Sequence, residues 1–236
     1  MIQSCAMDLI IFDFDGLILD TETVIFEAWR EIFKSYGTDL PLLEWASCIG
    51  TSHHAFDVFG YLESKLGRSV DRKEIADRHR KMIMERIEVL KPRPGVLEYL
   101  EEARKLKIAL ALASSSHQSW VMGHLSRLEL AEWFHSIRTA DDVQNVKPDP
   151  ELYDLTLTFM GVSPDRAIAF EDSPNGVKAA QAAGVYCVAV PNPVTRQLPL
   201  DHADFRIESM ADLSLRELLH TIETAKNSPQ STTFQR

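Results

Sequence analysis

A run of four apolar residues, Leu9-Ile10-Ile11-Phe12, ends abruptly in Asp13-Phe14-Asp15-Gly16. An unbroken apolar run of this length has no polar face, so it suits a strand covered on both sides. Strands of that kind belong to parallel sheets, which need helical crossovers between them. The acidic end adds a second constraint. On an extended chain, residues two apart point to the same side, so Asp13 and Asp15 are expected to project together. Two carboxylates at the end of a buried strand repel each other unless a cation or a shared proton intervenes. The arrangement suits chemistry in which one carboxylate is a nucleophile, the other a proton donor, and a metal holds them. Gly16 permits a sharp turn and a close approach of its N–H to a ligand.

The rest of the chain supplies the layers that such a strand needs. Ile108 to Ala113 reads as a second buried strand, ending in Ser114-Ser115-Ser116, and Ser136 to Thr139 as a short third. Ala167 to Phe170 ends in Glu171-Asp172; Val185 to Val190 and Asp204 to Ile207 give two more. Helical spacing covers Gly95 to Leu106, with Pro94 expected in its first turn, and Gln118 to Leu130. It returns from Glu151 to Met160, opened by Asp149 and Pro150, and over Leu213 to Ala225. Ser173 as N-cap and Pro174 at the first helical position start a helix running to Ala183. Alternation of this kind predicts an α/β fold: a Rossmann-like, doubly wound parallel sheet with helices on both faces.

One block departs from the alternation. Between Asp20-Thr21-Glu22 and Lys91-Pro92-Arg93-Pro94-Gly95 there is no strand candidate. Val24, Ile25, Ala28, Trp29, Ile32, Phe33 and Tyr36 recur at helical spacing, and Gly37 stops them. Short helical pieces follow over Pro41 to Cys48 and Ser52 to Leu66. Asp71 and Glu74 then start a helix running to about Ile87. The expected division is a core from 1–20 and 93–226, an inserted all-helical cap from 21–92, and a disordered polar tail from 227–236.

Composition narrows the function classes. A net charge of −10 in 236 residues argues against nucleic acid or anionic membrane as a partner. An anionic substrate would therefore need positive charge supplied locally. Cys5, Cys48 and Cys187 are odd in number and form no CxxC pair, which reads as reduced thiols in a cytoplasmic protein. No apolar run approaches the ~20 residues of a membrane span, and the first seven residues lack a signal-peptide pattern. A monomer is expected, although a dimer is also compatible with these observations.

In a parallel sheet, ligands gather beyond the carboxyl ends of the strands. Asp13 and Asp15, then Ser114, Lys147 and Glu171-Asp172, all fall at such ends or just after them. Phosphoryl transfer needs a set of this composition: a carboxylate nucleophile, a cation, and hydroxyl and N–H donors for the phosphate oxygens. All-oxygen ligands suit Mg²⁺.

Asp13-Phe14-Asp15-Gly16, Ser114, Lys147-Pro148-Asp149-Pro150 and Phe170-Glu171-Asp172-Ser173 together resemble the four motifs of the haloacid dehalogenase-like superfamily. The resemblance covers residues from about 8 to 220. The position and type of the cap resemble the beta-phosphoglucomutase-like and sugar-phosphate phosphatase subfamily. The resemblance implies that Asp13 becomes an aspartyl phosphate and that Asp15 is general acid and base. It implies phosphate binding by Ser114, Ser115, Lys147 and Gly16. It places Mg²⁺ on Asp13, Glu171, Asp172 and the Asp15 carbonyl, with a small phosphorylated metabolite, a sugar phosphate above all, as substrate. Two departures count against a mutase: Ile25 stands where mutases of this type carry a cap His, and His53 where they carry an Arg. A non-catalytic binding module on the same fold is the third reading, opposed by the intact Asp13, Asp15, Lys147 and Asp172. Arg93 is expected to serve the hinge, and Thr21 and Glu22 to shape the entrance without chemistry.

Overall fold

The computed structural model describes residues 7–46, 49–50 and 56–227. Cys5, Cys48, His53, His54, the start of the helix expected from Ser52, and the tail beyond Asn227 lie outside these residues. Six strands pair in parallel: β1 (Leu9–Phe12), β2 (Ala109–Ala113), β3 (Ser136–Arg138), β4 (Ala167–Glu171), β5 (Tyr186–Ala189) and β6 (Phe205–Arg206). Their order is β3-β2-β1-β4-β5-β6. The chain enters at the centre, winds outward on one side, then returns to wind outward on the other. The doubly wound order creates a crevice where β1 and β4 lie side by side, at the switch of direction.

Period-two alternation sorts the strand residues between the two faces. Ile10, Phe12, Leu110, Leu112, Ile168 and Phe170 face one layer, with Val96 and Leu100 of α5 (Val96–Leu106), Leu125 of α6 (Gln118–Arg127) and Leu218 of α9 (Leu215–Asn227). The Phe12 and Phe170 rings stack there at 5.3 Å, and full burial of such a side chain contributes about 1.5–3 kcal/mol. The other face is alanine-rich: Ala111, Ala113, Ala167 and Ala169 pack with Leu152 and Tyr153 of α7 (Glu151–Met160) and Val177 and Ala180 of α8 (Pro174–Ala182). The small side chains leave room on that side for Tyr153, which is fully buried.

Four helices form the inserted cap: α1 (Thr21–Ser35), α2 (Leu42–Trp45), α3 (Val58–Leu66) and α4 (Arg72–Ile87). Among the described residues of this stretch there is no strand. The cap has its own core, in which Ile25, Trp29, Ile32 and Phe33 of α1 meet Ile75 and Ile87 of α4. Asp20 caps α1 through the Thr23 N–H at 3.2 Å, and Asp71 caps α4 through the Glu74 N–H at 2.9 Å. Val194 and Leu198 of the α/β core join the cap cluster, so the two layers share apolar contacts. No described helix is long and apolar enough to cross a membrane.

Several helix boundaries differ from the sequence expectation: α3 begins at Val58 with Asp57 as its N-cap, α9 begins at Leu215, and two others have a visible cause. Pro94 precedes α5 and is not in its first turn, because Gly95 is the N-cap at φ 88°. A Cβ there would lie 2.2 Å from the Met210 carbonyl carbon, so only glycine allows this close approach. Helix α6 ends at Arg127, short of Leu130. Glu129 takes the left-handed conformation and the Leu130 N–H folds back to the Leu125 carbonyl at 2.8 Å, closing the helix.

Candidate active site

The geometry of the site follows from the sheet. Phe12 is in register with Phe170, and the Asp13 N–H extends the ladder to the Phe170 carbonyl at 3.0 Å. The residues just past β1 therefore lie beside Glu171 and Asp172 at the end of β4. Lys147 arrives on the loop before α7 with its side chain buried. Its ammonium donates to Asp13 Oδ1 at 2.5 Å, Glu171 Oε1 at 2.6 Å and the Ala113 carbonyl at 2.7 Å. All three of its donors are thereby used, and one side chain ties together the ends of β1, β2 and β4.

Charge is out of balance in this pocket. Asp13, Glu171 and Asp172 are all buried and offer oxygens within 4.8 Å of one another. Burial pushes the Asp13 carboxyl up to about 8, with Glu171 and Asp15 adding to the effect and Lys147 opposing it. Burial also drives Asp172 well above the usual carboxylate range, helped by Asp13 and Glu171. Burial disfavours the Lys147 ammonium, yet Asp13 and Glu171 outweigh that and hold it more firmly protonated than a free lysine. With all three carboxyls ionised, one ammonium leaves two negative charges in excess, and the upward shifts of Asp13 and Asp172 reflect that cost. Glu171 Oε2 is buried without a hydrogen-bond partner, and a buried polar atom left so calls for a ligand. The oxygen-only donor set, the excess charge and the orphaned oxygen all fit a hard divalent cation.

Neighbouring residues fix these carboxylates. Tyr153 donates its hydroxyl to Glu171 Oε1 at 2.5 Å, and Asn192 donates to Asp172 Oδ2 at 2.7 Å. Gly16, at φ 81°, lies so close that a Cβ would come within 2.2 Å of Asp172 Oδ2. Its N–H bonds the Leu19 carbonyl at 2.6 Å within the turn after β1. Any side chain at this position would collide with Asp172. Arg93 reaches three backbone carbonyls, those of Gly16 at 2.6 Å, Val190 at 3.0 Å and Pro191 at 2.6 Å. It fastens the end of the cap segment to the turn after β1.

Asp15 has different company. Its Oδ1 accepts from Thr21 Oγ1 at 2.7 Å and Trp120 Nε1 at 2.9 Å, and its Oδ2 from Ser116 Oγ at 2.6 Å. The strand stops at Phe12, so the same-side rule for extended chain no longer applies. Asp13 and Asp15 share no hydrogen-bond partner among the described residues. The Asp15 carboxylate also stands outside the acidic cluster, which leaves its carbonyl as what it could offer a metal.

Ser114 is buried and accepts the Ser116 N–H at 3.0 Å, shaping the loop after β2. Ser115 donates to the Gly50 carbonyl of the cap at 3.2 Å, so its side chain is engaged by the cap. From the cap, Glu22 is buried and its carboxyl is pushed up to about 8 by burial, then by Asp15 and Asp13, with the Gly50 N–H opposing. Sequence reasoning passed over Ser116, Trp120, Tyr153 and Asn192. Asn192 was within reach of it, since it follows β5, the neighbour of β4, at the same sheet edge. Tyr153 and Trp120 sit at ordinary helical core spacing, which carries no sign of a polar role.

A family model described as "Haloacid dehalogenase-like hydrolase" matches residues 10–190. The protein YhcW of Bacillus subtilis (strain 168) is 49% identical over 210 residues, 89% of this chain and 95% of its own. The "Phosphorylated carbohydrates phosphatase" of Thermotoga maritima is 37% identical over 188 residues, 76% of this chain and 82% of its own. Among solved structures, CbbY from Rhodobacter sphaeroides in complex with phosphate superposes with a TM-score of 0.65 at 29% identity, covering 88% of this chain and 96% of that one. With the parallel sheet, the inserted helical cap and the acidic cluster in place, the chain belongs to the haloacid dehalogenase-like hydrolases, in the capped branch of beta-phosphoglucomutases and sugar-phosphate phosphatases.

Proposed function

We propose that this protein is a Mg²⁺-dependent phosphatase that hydrolyses the phosphate monoester of a small metabolite, a sugar phosphate above all, through an aspartyl phosphate on Asp13. The observation that carries the reading is the buried set of Asp13, Glu171, Asp172 and Lys147 at the switch point between β1 and β4. Asp13, Asp172, Glu171 and the Asp15 carbonyl would hold Mg²⁺, which when bound offsets the charge of the phosphate against these acids. The Asp13 carboxylate attacks phosphorus and the ester oxygen leaves, taking its proton from Asp15. Asp15 then accepts a proton from water as the water attacks the aspartyl phosphate, releasing inorganic phosphate and restoring Asp13. Lys147 holds one oxygen of Asp13 throughout, which fixes the direction in which the other can approach. The sugar-phosphate preference is supported by the name of the Thermotoga relative. The mutase reading is the weaker one, because Ile25 occupies the position of the expected cap His and is packed in the cap core.

A panel of phosphorylated sugars assayed for phosphate release tests the reading. Turnover is expected with Mg²⁺, lost in EDTA and regained on adding Mg²⁺, and intact-protein mass is expected to show covalent phosphate that Asp13→Asn lacks. Full turnover in metal-free buffer, or interconversion of glucose phosphates in place of phosphate release, would overturn it.

A further inference from the structure

Of the three donors to Asp15 among the described residues, two are hydroxyls and one is an indole. A hydroxyl rotates and can switch between donating and accepting, whereas an indole N–H only donates and cannot turn away without moving the whole ring. The Trp120 N–H is therefore the rigid member of the set, 2.9 Å from Asp15 Oδ1. The ring itself is held in place. It lies edge-on to His124 at 4.5 Å, and His124 stacks on Phe14, the residue beside Asp15. The same ring packs against both the sheet core and the cap cluster. Thr21, which shares Asp15 Oδ1 with the indole, is the first residue of the first cap helix. The carboxylate of Asp15 thus sits where the cap, the loop after β2 and α6 converge, and Trp120 touches two of the apolar clusters that meet there.

We propose that Trp120 is a positioning residue: its indole N–H fixes the place of the Asp15 carboxylate, and its ring ties that place to the seating of the cap. The proposal rests on the acid–base role assigned to Asp15 above. It requires that the effect of Trp120 pass through Asp15 and not through general packing. Trp120→Phe keeps an aromatic ring at the site and removes the N–H with the outer atoms of the five-membered ring.

The test is rapid-quench kinetics on two substrates, an alkyl sugar phosphate and p-nitrophenyl phosphate, with wild type, Trp120→Phe, Asp15→Asn and the double variant. The alkyl leaving group needs a proton in the first step and nitrophenolate does not. Trp120→Phe is expected to slow transfer from the sugar phosphate, and hydrolysis of the aspartyl phosphate, by roughly tenfold, the size of one hydrogen bond to a charged group. The nitrophenolate burst should be nearly unchanged. In the Asp15→Asn background, Trp120→Phe should add nothing further. Ser116→Ala, which removes the donor to Oδ2, should repeat the selective pattern and covers the case in which Trp120→Phe folds poorly. Equal losses in the transfer step on both substrates, no loss at all, or full additivity with Asp15→Asn would each overturn the role of Trp120. If Asp15→Asn itself slows both substrates equally, the acid–base reading of Asp15 fails instead, a different pattern in the same data.

Discussion

Asp13 meets a lysine and two further carboxylates in a closed pocket, whereas Asp15, two residues on, meets two hydroxyls and an indole at the border with the cap. The first pocket is built from the ends of β1, β2 and β4, all within one rigid sheet. The second draws on the cap helix α1, the loop after β2 and α6. A nucleophile profits from the first setting, because a fixed ammonium and a cluster of acids suited to a metal hold it in one place. A proton carrier profits from the second, because its neighbours are neutral donors on elements that belong to two layers. Under the proposed mechanism, the contrast suits chemically identical side chains to different jobs through their surroundings alone.

The largest expected effect separates the two aspartates. Asp13→Asn should abolish turnover of every substrate, since loss of a nucleophile costs on the order of 10⁶-fold, and no phosphate should remain on the protein. Asp15→Asn should cost roughly 10²- to 10⁴-fold on a sugar phosphate. With p-nitrophenyl phosphate it should instead give a burst followed by a slow steady rate, with phosphate retained on Asp13. Identical behaviour of the two variants on both substrates would erase the distinction drawn here.

Stability should respond next, most sharply in the first pocket. Lys147→Met leaves three buried carboxylates without their cation, and breaking a buried pair from one side costs about 3–5 kcal/mol. Urea unfolding in EDTA should show this loss, with part of it recovered on adding Mg²⁺. A loss no larger than that of an ordinary surface substitution, about 0.5 kcal/mol, would contradict the charge imbalance.

The smallest effect, counted per pH unit, lies at the border between the pockets. Glu22 has its folded-state carboxyl raised to about 8 from an ordinary 4.5. Between those values the unfolded chain has released the proton and the folded chain keeps it. Stability should therefore fall as pH rises through this window, by about 1.4 kcal/mol per pH unit for one such group. Asp13 acts in the same direction, so the wild-type slope in EDTA is steeper than one proton's worth. Glu22→Gln should flatten the slope, read from urea midpoints at a series of pH values. An unchanged slope would remove Glu22 from the set of buried protonated acids.

The inserted helical cap and the parallel sheet were legible in the chain because both rest on local patterns. The apolar run Leu9 to Phe12 matches β1 residue for residue, and Ser173-Pro174 opens α8 as the cap rule expects. Asp13, Lys147, Glu171 and Asp172 were legible for a related reason. Each sits at or just beyond a strand end, or on a loop after one, and a parallel sheet brings those ends to one edge. Period-two alternation and strand-end position are properties of sequence spacing, so the sequence alone determines them. What it could not determine is which groups those side chains touch. Gly16 spends its N–H on Leu19, Ser115 turns to the cap at Gly50, and Trp120 and Tyr153 turn polar atoms inward from helices whose spacing reads as plain core. Hydrogen-bond partners far apart in the chain are set by how helices and loops pack over the sheet, and packing sums many weak contacts that no local pattern records. The sequence by itself determined the sheet, the cap and the acidic end of β1. Only the tertiary structure decided that Asp13 is bound to Lys147 in a buried cluster and Asp15 to Thr21, Ser116 and Trp120. The strand geometry that would have pointed both carboxylates one way ends at Phe12, and beyond it long-range contacts choose each rotamer.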